Sequence, residues 1–158
     1  MDSIEQKANA NFLLCSGLSI KNAIEATEGT LKENVVSKIK ESMPDVVTDE
    51  IIKVTPFGKK NTHVRVECTS PGARRMLITR ARQVKPVELY FSELLTPRRN
   101  TMFHSLRSLK SKFPNVIKAV YTRDGNIFYK LHGSDDFKKI KCPREITELE
   151  KRFSRTEE

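Results

Sequence analysis

Three histidines (His63, His104, His132), three cysteines (Cys15, Cys68, Cys142) and the Asp135-Asp136 pair are the residues from which metal, nucleophilic or acid–base chemistry would have to be assembled. None of the histidines stands at metal-ligand spacing from a cysteine or a carboxylate pair, and there is no C-x-x-C. Phosphate-cradling G-x-x-x-x-G-K-[ST], dinucleotide-binding G-x-G-x-x-G and the G-x-S-x-G nucleophile elbow are also missing. His63 reads as a surface or groove residue, and Asp135-Asp136 as a solvated turn. The expectation is a protein without enzymatic activity, metal or cofactor.

What the chain does carry is positive charge. Its 158 residues contain 29 Lys+Arg against 20 Asp+Glu, a formal +9. The excess is local: residues 53–123 hold 16 basic and 3 acidic side chains, a balance of +13, whereas residues 1–52 hold 5 basic and 9 acidic and residues 124–158 hold 8 of each. Most surface lysines and arginines are merely solvated, but an excess of one sign this dense repels itself unless a polyanion relieves it. The basic residues are interleaved with apolar ones at regular spacing, unlike a disordered polybasic arm. No stretch approaches the roughly 18 apolar residues of a membrane span. No signal peptide is expected, and three dispersed cysteines suit a reducing compartment, cytoplasmic or nuclear.

The charge must be presented by folded elements. Phe12–Leu18 is a short apolar run broken by Gly17 and reads as a buried strand. Leu31, Val35, Ile39 and Met43 recur every four residues behind a T-x-x-E capping box (Thr30, Glu33), and Pro44 ends that helix. DEIIKVTPFG and NTHVRVEC give two strands around a basic turn, TPFGKKN. Ser70-Pro71 opens a second helix, with Ala73, Met76, Leu77 and Ala81 read as its apolar set and Arg74, Arg75, Arg80 and Arg82 as its basic set. PVELYFS alternates as a fourth strand. The order β-α-β-β-α-β over 12–92 is the split βαβ, ferredoxin-like arrangement used by RNA-recognition (RRM) domains and by many unrelated proteins. The expected class is therefore α+β: a ferredoxin-like, RRM-like domain over 12–94, then a small α/β C-terminal domain over 95–158.

In that second domain Thr96-Pro97 starts a helix with an apolar stripe of Met102, Phe103, Leu106, Leu109 and Phe113. Arg99, Arg107 and Lys110 fall within roughly 80° of one another along its flank at 100° per residue. VIKAVYT and IFYKLH flank Asp124-Gly125, a strong hairpin signal, and Ile146, Leu149 and Phe153 predict a closing helix after Pro143.

An RRM stacks bases on aromatics of its two central strands. Here the first strand offers Leu14 at that place, and the third offers His63 and Arg65 without Phe or Tyr. Base-specific readout is expected to be poor, leaving phosphate attraction that is sequence-tolerant and salt-dependent.

Four segments, in this order, carry a family resemblance: IEQKANANFLLCSGLSI, VTPFGKKNTHVRVECTSPGARRMLITRAR, PVELYFSELLTPRRNTMFHSLRSLK and YTRDGNIFYK. Together they resemble the first-open-reading-frame proteins of LINE-type retrotransposons and the related baculovirus few-polyhedra (FP) proteins, over about residues 4–153. The resemblance implies an RRM-like domain and a C-terminal domain that clamp single-stranded RNA or DNA between them, with RNA coating and nucleic-acid chaperone activity in the retrotransposon proteins. Residue by residue, it carries phosphate contact onto Lys59 and Lys60, Arg65, Arg80 and Arg82, and Arg98 and Arg99. With Arg74, Arg75, Arg107 and Lys110 from the basic block, these eleven are the candidate nucleic-acid-binding residues. The family also carries a long coiled coil upstream that makes oligomers, of which residues 1–11 would be the remnant here.

The leading expectation is thus a non-enzymatic binder of single-stranded nucleic acid, RNA ahead of DNA, with no membrane partner. The alternative is a structural or assembly module whose RRM-like sheet and basic block bind an acidic protein.

Overall fold

The computed structural model describes residues 2–156. Met1 of the expected coiled-coil remnant, and Glu157 and Glu158 of the expected C-terminal domain, lie outside them. Among the described residues the fold is mixed α+β, with six helices and two antiparallel sheets. Lys7–Leu94 form one compact unit; Leu95 onward, together with the segment up to Gln6, form the other.

The larger unit runs β1 (Phe12–Ser16), α2 (Leu18–Glu25), α3 (Leu31–Ser42), β2 (Ile51–Phe57), β3 (His63–Cys68), α4 (Pro71–Val84) and β4 (Tyr90–Glu93), after a first helix α1 (Asp2–Ala8) that spans the division between the units. Its sheet has the order β2-β3-β1-β4. Strand β1 is central, pairing Leu14 with Arg65 of β3 on one side and with Ser92 of β4 on the other. Successive side chains of a strand point to opposite faces. Leu13 and Cys15 of β1 and Val64, Val66 and Cys68 of β3 therefore share one face, all fully buried with Ile20, Val35, Ile39 and Leu77 of the helices.

Helix boundaries follow the caps read from the sequence. Glu33 N–H donates to Thr30 Oγ1 at 3.1 Å and Thr30 N–H to Glu33 Oε2 at 3.3 Å, closing the capping box. Ala73 N–H donates to Ser70 Oγ at 3.1 Å in front of Pro71. Two elements differ from expectation. The apolar run does not continue as a strand past Ser16: Gly17 adopts φ 107°, ψ 178°, a conformation essentially restricted to glycine, and the chain turns into α2. Two helices thus stand between β1 and β2 where one was expected. The fourth strand is also shorter than PVELYFS, because Lys85 (φ 52°) and Glu88 (φ 63°) break the extended backbone and leave Val87 81% exposed.

The C-terminal unit contains α5 (Pro97–Lys112), β5 (Ile117–Arg123), β6 (Asn126–Leu131), β7 (Phe137–Ile140) and α6 (Pro143–Thr156). Its sheet, β5-β6-β7, packs Ile117, Ile127, Tyr129 and Ile140 against Leu106, Leu109 and Phe113 of α5 and Ile146, Leu149 and Phe153 of α6. The β5–β6 turn is made by Asp124 (φ 52°) and Gly125 (φ 80°), the paired positive φ values that match strand twist in a two-residue hairpin. The third strand, β7, was not expected from the sequence; FKKI is four residues long and half lysine. The segment 2–6 belongs with this unit: Gln6 is buried, and its Oε1 accepts from Thr96 N–H at 2.9 Å.

A methyl group at Gly17 would lie 2.3 Å from the backbone carbonyl oxygen of Glu88, which itself accepts from Ser19 N–H at 3.0 Å. Backbone cannot yield as a flexible side chain can. Gly17→Ala is expected to destabilise the larger unit by about 2 kcal/mol or more, summing conformational strain and overlap. The measurement is the urea midpoint, and an unchanged midpoint would refute the assignment of strain to this turn.

Candidate nucleic-acid interface

With helices covering one face of the β2-β3-β1-β4 sheet, alternation leaves the other face uncovered. It presents Phe12 and Leu14 from β1, His63, Arg65 and Glu67 from β3, Lys53 and Phe57 from β2, and Tyr90 from β4, with the acid Glu67 opposite Phe12 and Lys53. The Arg65 guanidinium sits 4.7 Å from the centroid of the Phe12 ring, which fixes a cation at the middle of the sheet. Phe57 is 41% and Tyr90 61% exposed, on the two edge strands. The aromatics missing from the usual positions of the central strands are thus partly supplied from neighbouring ones. Sequence reading missed them by looking only where an RRM carries its stacking residues.

The eleven candidate residues do not converge on this face. Arg65 lies on it. Lys59 and Lys60 are exposed in the loop joining β2 to β3. Arg75 and Arg82 are exposed on α4, which packs on the opposite, buried side of the sheet. Arg80 forms a two-pronged pair with Asp45, Nη2 to Oδ2 at 2.5 Å and Nε to Oδ1 at 3.4 Å, so much of its charge is compensated within the unit.

Arg74 is a correction. It is 2% exposed, with Nη1 3.5 Å from Glu93 Oε1 of β4, and cannot reach a polyanion from there. The buried positions of α4 are Ala73, Arg74, Leu77 and Ile78, while Met76 is 44% exposed, so the apolar stripe is rotated from the expected set. The Ala73-Leu77-Ile78 spacing was the available signal, since it places position 74 inside the buried face. A buried guanidinium requires a carboxylate, and Glu93 provides it. The same guanidinium acts on Cys68: burial pushes that thiol up to about 11, with Arg74 pulling against the rise. Burial raises Cys15 as well, reinforced by Cys68. Both remain protonated core residues rather than nucleophiles.

In the C-terminal unit the candidates also divide. Arg99 of α5 is largely structural: Nε donates to Asp2 Oδ2 at 2.8 Å and Nη1 to the Gly125 carbonyl at 2.8 Å, tying helix start, hairpin turn and chain start together. Exposed Arg98 lines, with Arg99, Lys139 and Lys141, a polar recess of about 380 Å³ beside Asn126 and Asp2. Lys139 and Lys141 were not anticipated; they lie outside the basic block, and β7 itself was not recognised. Arg107 and Lys110 are exposed and line a separate open recess of about 570 Å³ with His104. Arg107 also rests 5.6 Å from the Phe103 ring centroid. The cations therefore offer short clusters, each able to bind phosphate by charge and N–H donation.

Among the described residues, no group of three or more His, Cys, Asp or Glu is placed to hold a metal ion, and no helix is long and apolar enough to cross a membrane. No protein-family model matches the chain, and no curated protein matches it in sequence.

Arg74→Ala should cost about 3–5 kcal/mol of stability by leaving Glu93 buried without its guanidinium. Joint replacement by Arg74→Met and Glu93→Leu should recover most of it in the same denaturant titration; no recovery would show that the pair is not the reason for the loss. A second expectation concerns Asp2. The Thr96 hydroxyl, donating at 2.5 Å, and then Arg99 hold its carboxyl below the ordinary value of 3.8, against an opposing effect of burial. A lowered folded-state pKa gives stabilisation that is complete above the unfolded value and lost as pH falls through the folded one. Asp2→Asn should accordingly lower the melting temperature at pH 7 and narrow its gap to wild type as pH falls below the ordinary value of 3.8 and through the lowered one; a gap that stays constant with pH would contradict this coupling.

Proposed function

We propose that this protein binds single-stranded nucleic acid, RNA ahead of DNA, without catalysing a reaction and with little sequence preference. The observation that carries the reading is the uncovered sheet face of the larger unit, where Arg65 is held over Phe12 with Lys53, His63, Phe57 and Tyr90 around it. A sheet that offers cations and aromatic rings without a covering helix suits a strand whose phosphates need charge and whose bases need planar partners. Lys59 and Lys60, exposed in the adjoining loop, extend the positive surface. The strand order β2-β3-β1-β4 supports a ferredoxin-like, RRM-like reading of this unit, with α2 as an added helix. The segments similar to LINE-type and FP proteins support the same class and add the expectation of RNA coating and chaperone activity.

In the C-terminal unit, Arg98 with Lys139 and Lys141, and separately Arg107 with Lys110, supply further phosphate contacts. Arg74 is excluded from the set, and Arg80 and Arg99 are assigned first to internal pairing.

Fluorescence anisotropy with labelled single-stranded RNA tests the proposal. Affinity should fall linearly on a log–log plot against salt, with a slope of about −0.7 per phosphate neutralised. Lys59→Ala with Lys60→Ala should weaken binding alike for unrelated sequences and reduce that slope by about 1.4 if both lysines contact phosphate. Undetectable binding at low salt, or binding indifferent to salt, would overturn the reading. A cellular complex that survives nuclease would instead favour the acidic-protein alternative.

A further inference from the structure

The sequence predicts poor base recognition because the central strands of the first sheet carry Leu14, His63 and Arg65 where an RRM places its stacking aromatics. The second sheet carries them. Phe128 of β6 stands between Ile127 and Tyr129, both buried against the helices, so its ring is on the opposite face of the sheet. Tyr121, its cross-strand partner on β5, shares that face, and the two rings stack at 5.3 Å between centroids and 17° between planes. Phe137 of β7 closes the group edge-on to Tyr121 at 4.9 Å and 86°. Tyr121 and Phe128 are half-buried, and Phe137 is 49% exposed. Three aromatic rings thus sit together on the face of the sheet opposite its core.

Charge selects what the patch accepts. Across β5, β6 and β7 there are Lys118, Arg123, Lys130, Lys138 and Lys139 and no Asp or Glu. The acids nearby, Asp124, Asp135 and Asp136, belong to the segments between strands. The Lys130 ammonium is 5.1 Å from the Phe137 ring centroid, and Lys139 lies directly opposite Phe128. Lys139 and Asn126 also line the polar recess with Arg98, Lys141 and Asp2, so the aromatic patch adjoins a group of cationic side chains.

We infer that the Tyr121–Phe128–Phe137 face is a base-stacking platform, on which unpaired bases of a single strand lie while Lys130 and Lys139 meet the flanking phosphates. The inference rests on the nucleic-acid reading and deepens it. Base–aromatic stacking tolerates any sequence because every base has a π-face, so the platform adds affinity without adding a code.

The test compares a base-bearing oligonucleotide with an abasic strand of equal length and charge, using the full chain. Wild type should prefer the base-bearing strand by about tenfold, within the range expected for one or two stacked bases. Tyr121→Ala with Phe137→Ala should cut that preference by about fivefold, any remainder coming from the rings of the first sheet, while leaving abasic binding and the salt slope unchanged. Should the double variant fail to fold, Phe137→Ala alone, at an exposed position on the edge strand, reads the same difference, and Phe137→Tyr should retain wild-type affinity. A base-bearing strand containing 4-thiouracil should crosslink within 117–140, and crosslinking confined elsewhere overturns the platform. So does an equal loss on both strands, or no loss on either. Polyglutamate held as tightly as the base-bearing strand, and released by the same substitutions, would assign the face to an acidic protein and overturn it too. Failure of wild type to bind either strand at low salt would defeat the nucleic-acid reading itself, whereas normal salt-dependent binding by unaffected variants would defeat only the platform.

Discussion

Among the described residues, each sheet buries one face against the helices of its own unit, and this constraint governs the rest of the molecule. Alternation then decides the fate of every strand residue. In β1, Leu13 and Cys15 are fully buried while Phe12 and Leu14 face away from the core. In β6, Ile127 and Tyr129 are buried while Phe128 and Lys130 face outward. A one-residue slip in either strand would exchange the two sets and expose the core, so the register that stabilises each unit also fixes which side chains are offered to a partner. Stability and presentation come from the same period of two.

The cations illustrate how little a net charge says about binding. Arg74 is neutralised inside the larger unit by Glu93, Arg80 is paired to Asp45 beside it, and Arg99 holds Asp2 and the Gly125 carbonyl. These arginines use planar, multi-donor geometry to join segments distant in sequence, a role lysine performs less well. Lysines and arginines in loops and on uncovered faces, such as Lys59, Lys60 and Lys139, carry their charge outward instead. Part of the +13 that residues 53–123 show in sequence is thereby spent on folding, and the external field is smaller and more divided than the count implies.

What the sequence made legible was local. Caps at Thr30, Ser70 and Thr96, the Asp124-Gly125 turn, and the alternation of Val64 and Val66 each have a short-range physical cause, and each has its counterpart in the fold. Helix α2 escaped because Leu18 continues an apolar run, and only the backbone of Gly17 ends the strand. Strand β7 escaped because four residues with two lysines show no apolar alternation; its place is set by pairing with β6. The aromatic face was invisible for the same reason. Tyr121, Phe128 and Phe137 come from three strands, and only sheet register brings them together. Arg74 was misassigned because charge was taken as evidence of exposure, whereas its helical position placed it beside Leu77 and Ile78.

The edges of the sheets sharpen the case for their faces. An exposed edge strand invites pairing with another chain, and proteins blunt such edges with short strands, prolines, bulges and lysines. Edge strand β2 carries Pro56 and an irregularity between Ile51 and Lys53, and edge strand β4 is four residues long. Edge strand β7 is equally short and bears Lys138 and Lys139. Three of the four edges are thus poor templates for adding a strand. The uncovered faces have no comparable protection: they present aromatic rings with cations among their neighbours, at the cost of leaving apolar surface in water. A fold that guards its edges while leaving ring-bearing faces open is better suited to a partner that lies flat across a sheet than to one that extends it. A single-stranded nucleic acid, with planar bases and a charged backbone, has that shape and that chemistry.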